Sequence, residues 1–178
     1  ALGQASTASE DYLVDFTQRL SGVAYQSGIT VQNILGFASA LDQTGNKVEM
    51  GATAFQKFIM QMFSDTATFA SMAGMELDSF SKLLKEDTNT AILTVLKTLN
   101  ERGGFSQLVP VFEDMGLEGA RAVSVLTSLA SNIGLVTEAQ KLSNEEYRLA
   151  TSLTREYNIR TTRCKQGWRK LKRLLWIM

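Results

Sequence analysis

The residue types that proteins most often use for catalysis are scarce in this chain, which contains no histidine and a single cysteine, Cys164. Histidine is the usual general base at neutral pH and the commonest metal ligand, so its absence removes the simplest hydrolytic and metal-dependent mechanisms. One cysteine forms neither an internal disulfide nor a thiolate cluster. Serine and threonine hydroxyls then lack the base that usually activates them. We therefore expect no catalytic residue, no metal site and no bound cofactor.

The remaining candidates for chemistry are adjacent polar residues. Adjacent carboxylates occur at Glu86-Asp87, Glu113-Asp114 and Glu145-Glu146. Neighbours on a helix diverge by about 100°, so these pairs do not converge on one substrate, and we expect solvated faces or helix caps. The pair Ser81-Lys82 resembles a serine–lysine dyad. A lone pairing has no specificity, however, and two exposed helix residues are the simpler interpretation.

The glycines and the large apolar residues are better explained by packing of the core than by binding of a ligand. Gly103-Gly104 lacks the Gly-Lys-Ser/Thr pattern of a phosphate-binding loop. An apolar cluster on one predicted helix is compatible with a cofactor pocket, but its helical spacing favours core packing: Phe55, Phe58, Met60, Met62 and Phe63. Met60 falls off the main stripe and marks a candidate subunit contact. Gly36 lies among small residues, which predicts that another helix backbone comes close to it.

Apolar residues recur at steps of three and four, which predicts helices throughout. The first runs from Ser9 to Tyr25, with Leu13, Phe16, Leu20 and Val23 inward. Later helices are predicted after Thr30 (inner face Val31, Ile34, Leu35, Ala38, Leu41), from Val48 (inner face including Phe63), over Thr66–Met72, after Asp78 and Asp87, and over Phe105–Met115, Ala120–Ile133 and Thr137–Tyr157.

The predicted fold class is all-α, a compact multi-helix domain without a sheet, because alternation of apolar and polar residues never persists beyond about four residues. The last helix has only a thin seam of inward residues, Ala139, Leu142, Leu149, Leu153 and Tyr157. We expect this C-terminal helix to project from the domain. No stretch approaches the ~20 apolar residues of a membrane span.

The charge is divided unevenly along the chain. Residues 1–159 contain 11 Lys+Arg and 18 Asp+Glu, whereas residues 160–178 contain seven Lys+Arg, no acid, both tryptophans and the cysteine. The division therefore separates a helical region, 1–159, from a basic tail of atypical composition, 160–178. As a helix the tail would be basic and amphipathic, a pattern typical of binding to nucleic acid or a membrane surface.

A second interpretation of residues 160–178 is that they are translated from a shifted reading frame. Acidic residues vanish abruptly after Ile159, while Trp and Cys first appear. One choice of synonymous codons for residues 160–172, read in another frame, spells a mixed-charge, helix-prone peptide. On this hypothesis the positive patch has no biological role.

Three stretches, in order, resemble the core region of phage tail tape measure proteins. The first is NILGFASAL at residues 33–41, followed by Thr44-Gly45 and by EMGATAF at 49–55. The second is MEL at 75–77 and FSKLLKED at 80–87, with Ala91-Ile92 and residues 96–99 behind it. The third is MGLEG at 115–119, with Arg121 and residues 126–130. The likeness extends over roughly Ser9 to Tyr157.

The resemblance implies a structural, non-enzymatic component of a phage or prophage tail. Such proteins set tail length and template tube assembly; they lie in the lumen of the tail tube after synthesis in the bacterial cytoplasm. The implied partners are tail tube and tail assembly proteins, together with other copies of the chain, and not a small-molecule substrate. Fully helical, 178 residues would reach only about 270 Å. We therefore expect one region of a longer ruler.

The alternative function is a helical binding module that uses the basic segment 160–178 for nucleic acid or membrane. An enzyme of unfamiliar type is a third hypothesis, which the missing histidine and motifs disfavour. For the body of the domain, we expect neither nucleic acid nor membrane as a partner.

Overall fold

Eight α-helices account for nearly all of the chain that the structure describes, namely residues 7–102 and 119–149 with Ser106 and Val109 between them. In this computed structural model they are α1 Glu10–Ser27, α2 Val31–Gln43, α3 Val48–Ser64, α4 Thr66–Ala73, α5 Leu77–Glu86, α6 Thr88–Arg102, α7 Gly119–Ser131 and α8 Ile133–Leu149. These residues contain no strand, and the predicted compact all-α fold is confirmed. The predictions for Gly103-Gly104, for everything after Leu149 and, apart from Ser106 and Val109, for Phe105–Met115 lie outside the described residues.

Side-chain caps begin four of the helices, three of them at residues where the sequence predicts a helix start. The oxygens of Ser9 and Thr30 accept from the backbone N–H groups of residues three positions on, at 3.1 and 3.3 Å. Asp65 and Asp87 accept in the same way at the starts of α4 and α6, at 3.3 and 3.0 Å. Each cap satisfies a backbone donor that has no partner inside its own helix.

One predicted cap is wrong. Asp78 lies inside the first turn of α5, and Glu76 is the residue that precedes the helix. The side chain of Glu76 makes no capping bond. Instead, Asp78 places its carboxylate beside the positive end of the helix dipole, where a negative charge is stabilising without a capping hydrogen bond.

Five phenylalanine rings form the centre of the core. They come from the first four helices: Phe16, Phe37, Phe55, Phe58 and Phe69, all fully buried. Phe55 contacts Phe37 at a centroid separation of 4.5 Å, and Phe58 meets Phe69 edge to face at 5.6 Å. Aromatic pairs at these distances add attraction beyond the area that they bury. The predicted apolar stripe of α1 is confirmed as buried. In α6 the residues Ile92, Val95, Leu96 and Leu99, at the same helical spacing, are buried as well.

The helices pack in two groups that α7 joins. Helices α1, α2 and α3 pack against one another, as do α4, α5 and α6, and α7 contacts both α3 and α6. Helices α1 and α3 run in the same direction, since Tyr12 approaches Gly51 near their beginnings while Val23 and Met60 line one groove near their ends. This arrangement leaves one side of α2 to be covered by α8.

In α2 and α3, two residues that the periodicity predicts as inward are exposed. Val31 is 56% exposed and Phe63 is 42% exposed. Val31 is the first residue of α2 and Phe63 lies in the last turn of α3, where the neighbouring helices no longer cover the stripe. Helical spacing aligns a residue with the inner face but does not say where the covering helix ends.

The last helix also differs from the prediction. The predicted break between Ile133 and Thr137 falls instead at Asn132, so α8 begins four residues early. Over its described length α8 does not project, because it packs along α2. Among the described residues no single helix is long and apolar enough to cross a membrane; α7 and α8 reach that length and composition only together, with a 69° bend between them.

Candidate interaction surfaces

Of the residues singled out for chemistry, those that the structure describes do not converge on one site. Asp87 caps α6 and accepts from the Thr90 hydroxyl at 2.6 Å, while Glu86 is exposed at the end of α5. Glu145 is exposed and Glu146 is buried, so the two side chains diverge as expected, but the predicted solvated face is wrong for Glu146. No cluster of metal-binding side chains occurs within residues 7–102 and 119–149. Glu113-Asp114 and Cys164 lie outside the described residues.

The predicted aromatic and methionine cluster on α3 divides between core and surface. Phe55, Phe58 and Met62 are fully buried, which confirms core packing. Met60 is 53% exposed, as expected for a residue off the stripe, and Phe63 joins it at the surface. Helical spacing alone separates Met60 from the core, but the exposure of Phe63 depends on the ends of neighbouring helices.

Met60 and Phe63 line an open groove between the ends of α1 and α3, with a volume of about 420 Å³. Its lining residues are all uncharged: Val23, Gln26, Ser27, Met60, Phe63 and Ser64. Apolar side chains that remain half-exposed at a concave surface can bury further area against another protein. The groove is the first candidate interaction surface.

A second surface is the seam between α2 and α8, where two helix backbones come unusually close. A Cβ atom added to Gly36 would overlap the Gln140 side chain and stand 3.0 Å from both the Gln140 nitrogen and the Val136 oxygen. The prediction that Gly36 admits another helix is therefore confirmed. Only a residue without a side chain fits at this crossing.

The seam is held by amide hydrogen bonds that the sequence analysis did not identify. The Gln140 amide nitrogen donates to the backbone oxygen of Asn33 at 3.1 Å and to the Asn89 side-chain oxygen at 2.9 Å. The Asn89 nitrogen donates back to the Gln140 oxygen at 3.2 Å. Gln140, 95% buried, thus joins α2, α6 and α8 and has its polar atoms satisfied.

At the rim of the seam the Asn144 amide donates to the Asn33 side-chain oxygen at 3.2 Å. The inner face of α8 is largely polar, since it buries Val136, Ala139, Gln140, Ser143 and Glu146. The predicted inner residue Ala139 is confirmed, whereas Leu142 is half-buried and Leu149 is exposed. The signal that could have revealed this face is the step of three and four from Val136 through Gln140 to Ser143.

Tyr12 holds the one buried side-chain polar atom without a hydrogen-bond partner in the described part of the chain. Its hydroxyl approaches the backbone of Gly51 where α1 packs on α3. Burial raises the pKa of Tyr12 above its ordinary value near 10, and the nearby carboxylates of Asp42 and Glu49 raise that pKa further. The group remains neutral at physiological pH and offers no basic or nucleophilic oxygen.

Comparison of the chain with protein-family models, curated proteins and solved structures finds no match.

Proposed function

We propose that this chain is a structural, non-enzymatic region of a phage or prophage tail tape measure protein, acting in tail assembly through contacts with tail tube proteins and with other copies of itself. Its site of action is then the lumen of the tail tube, after synthesis in the bacterial cytoplasm. The resemblance of the three ordered stretches is the basis of this proposal.

One structural observation supports the proposal most directly: two of the resembling glycines, Gly36 and Gly51, are packing positions. Gly36 admits α8 against α2. Gly51, later in the same resembling stretch, stands where a Cβ atom would lie 3.2 Å from Leu41 and from the Tyr12 hydroxyl. Residues whose types are required by helix packing specify a framework and not a reaction centre. The likeness therefore concerns architecture, as a structural role requires.

The uncharged groove lined by Met60 and Phe63 is the surface that supports the self-association part of the proposal. Half-exposed Met60 and Phe63 stand at its edge, and methionine adapts to partners of irregular shape. Contacts of this kind associate copies of a chain through buried apolar area and do not depend on a small ligand. We therefore assign self-association and tail-protein contacts to this groove.

The genome and the virion provide the test. The proposal predicts that the parent reading frame is long and helix-rich and lies beside other tail genes. In a phage that carries this gene, an in-frame deletion of codons 9–149 should leave few tails of normal form in electron micrographs. Gly36→Leu, which inserts a large side chain into the seam, should act in the same direction.

The matched control is Gly22→Ala, because nothing lies within 4 Å of a Cβ atom at that exposed position of α1. This variant should give normal tail number and length. Normal tails after the deletion, or a short reading frame among genes of metabolism, would refute the tail assignment. Binding of the full chain to DNA or lipid vesicles, lost when residues 160–178 are removed, would favour the binding-module alternative.

A further inference from the structure

Helix α8 is joined to α7 by a single residue, Asn132, and the two helix axes differ by 69°. The Asn132 backbone N–H donates to the Leu129 oxygen at 3.2 Å, and its side-chain amide donates to the Ser128 oxygen at 2.9 Å. In a continuous α-helix the Ser128 oxygen would accept from the Asn132 backbone N–H instead. The Asn132 side chain thus bonds to the Ser128 oxygen, which would accept the backbone hydrogen bond of a continuous helix. No proline lies at this junction.

The seam that holds α8 buries polar side chains beside apolar ones such as Val136 and Ala139. Three of the five buried residues of α8 are polar: Gln140, Ser143 and Glu146. Separation of α8 from α2 therefore loses less hydrophobic stabilisation than separation of an apolar helix would. The Gly36 crossing and the amide bonds of Gln140 fix which helix fits and in which register.

The aromatic centre of the core is built without α8, although Val136 and Ala139 of α8 belong to the surrounding apolar core. The five buried phenylalanine rings belong to α1, α2, α3 and α4, and α8 packs mainly on α2. Movement of α8 therefore removes no ring from this cluster. Separation of α8 would expose the Gln140 amide and the backbone around Asn33 and Gly36. Only the α8 of another copy can restore all of the hydrogen bonds that these groups make.

We propose that α8 exchanges between two copies of the chain. Rotation at Asn132 continues α7 into α8 as one helix from Gly119 to Leu149, roughly 46 Å long at the standard rise. The α8 of each copy then occupies the seam on α2 of the other. All contacts of the seam are identical in the closed and exchanged forms, so the free-energy difference resides in the hinge. This inference rests on the packing of α8 and not on the tail assignment.

Cross-linking across the seam tests the exchange. Asn33→Cys and Asn144→Cys replace two side chains that touch at the rim, each in a Cys164→Ser background so that no other thiol reacts. The two single-cysteine chains are mixed at high concentration and treated with a short bis-maleimide. We expect a covalent heterodimer linked from residue 33 of one copy to residue 144 of the other.

A chain with both cysteines is the control for reactivity, since its closed form links residue 33 to residue 144 internally. Internal linkage without any heterodimer would overturn the exchange, and dominant 33–33 or 144–144 products would show an ordinary surface dimer instead. Failure of the double variant to link would overturn the seam and the exchange with it.

The hinge supplies an independent measurement by sedimentation velocity. Asn132→Ala removes the side-chain bond to Ser128 and inserts the residue with the highest helix propensity. Each of the two hinges in the exchanged dimer gains the difference in helix propensity between Ala and Asn. The dimer should therefore bind roughly ten-fold more tightly. Ile133→Pro suits the first position of α8 but breaks a continuous helix, so it should shift the chain toward monomer. Unchanged dimerisation in both variants would contradict the proposal.

Discussion

Gly36 of α2 and Gln140 of α8 occupy one crossing, where the place of a Cβ atom on the glycine is already filled by the glutamine side chain. The same glutamine is 95% buried and bonded to two other helices. Close backbone approach and a satisfied polar side chain thus depend on each other at this point. Substitution of either residue should affect the whole seam.

Gly36→Ala should destabilise the fold by about 1–3 kcal/mol, the usual cost of an extra methyl group in a packed site. The helices must separate, because the Cβ atom would stand only 3.0 Å from backbone atoms of Gln140 and Val136. Urea unfolding followed by circular dichroism measures the change. Gly22→Ala, with open space around it, should instead gain roughly 0.5–1 kcal/mol. Equal stability of the two variants would mean that the crossing is looser than described.

Gln140→Ala should cost about 1–3 kcal/mol, because it leaves the Asn89 amide and the Asn33 carbonyl without their partner in a buried seam. The measurement is again the free energy of unfolding in urea. Gln18→Ala is the matched control, since Gln18 is exposed on α1. A loss no larger than that of the control would show that water replaces the glutamine without cost.

Tyr12→Phe should leave the fold as stable as before or stabilise it by up to about 1 kcal/mol near neutral pH, because the buried hydroxyl has no partner to lose. The pH dependence provides a second readout. The folded-state pKa of Tyr12 is raised above its ordinary value, so the unfolded chain releases this proton first and stability falls as the pH rises above about 10. Tyr12→Phe should weaken that alkaline loss. Identical pH profiles would contradict the buried, neutral hydroxyl.

Met60→Glu should weaken self-association of the full chain at least ~10-fold, since a carboxylate must lose water when the uncharged groove is covered. Sedimentation velocity over a range of concentrations measures the effect. Met50→Glu is the control, because Met50 is also exposed on α3 but does not line the groove. If both variants associate as the parent does, the groove is not the contact surface.

Resequencing the DNA across the codons for Asn158 to Arg163 should reveal a shifted frame if the basic tail is an artefact of translation. The expected corrected peptide is helix-prone and of mixed charge, without the tryptophans of residues 160–178. An intact frame in independent isolates, still encoding Trp168 and Trp176, would exclude the shift. It would also strengthen the binding-module alternative, because the positive segment would then be natural.

The sequence by itself determined the fold class, most helix boundaries and the principal apolar stripes. These features depend on signals within a few residues: a cap such as Ser9 bonds three positions ahead, and the stripe from Leu13 to Val23 follows the turn of one helix. The exclusion of simple histidine chemistry also follows from composition alone. The predicted helix starts at Asp78 and at Thr137 were wrong by a few residues. The helices begin instead after Glu76 and after Asn132.

Only the tertiary structure decided which faces are covered. Gln140 is buried because its partners come from 51 and 107 residues away, and no local pattern specifies contacts at that separation. Val31 and Phe63 match an inner stripe but lie where neighbouring helices end. Burial of a polar residue depends on the hydrogen bonds that a distant helix supplies, and exposure of an apolar residue depends on where that helix stops. The groove and the seam therefore arise from the assembly of helices that the sequence specifies one at a time.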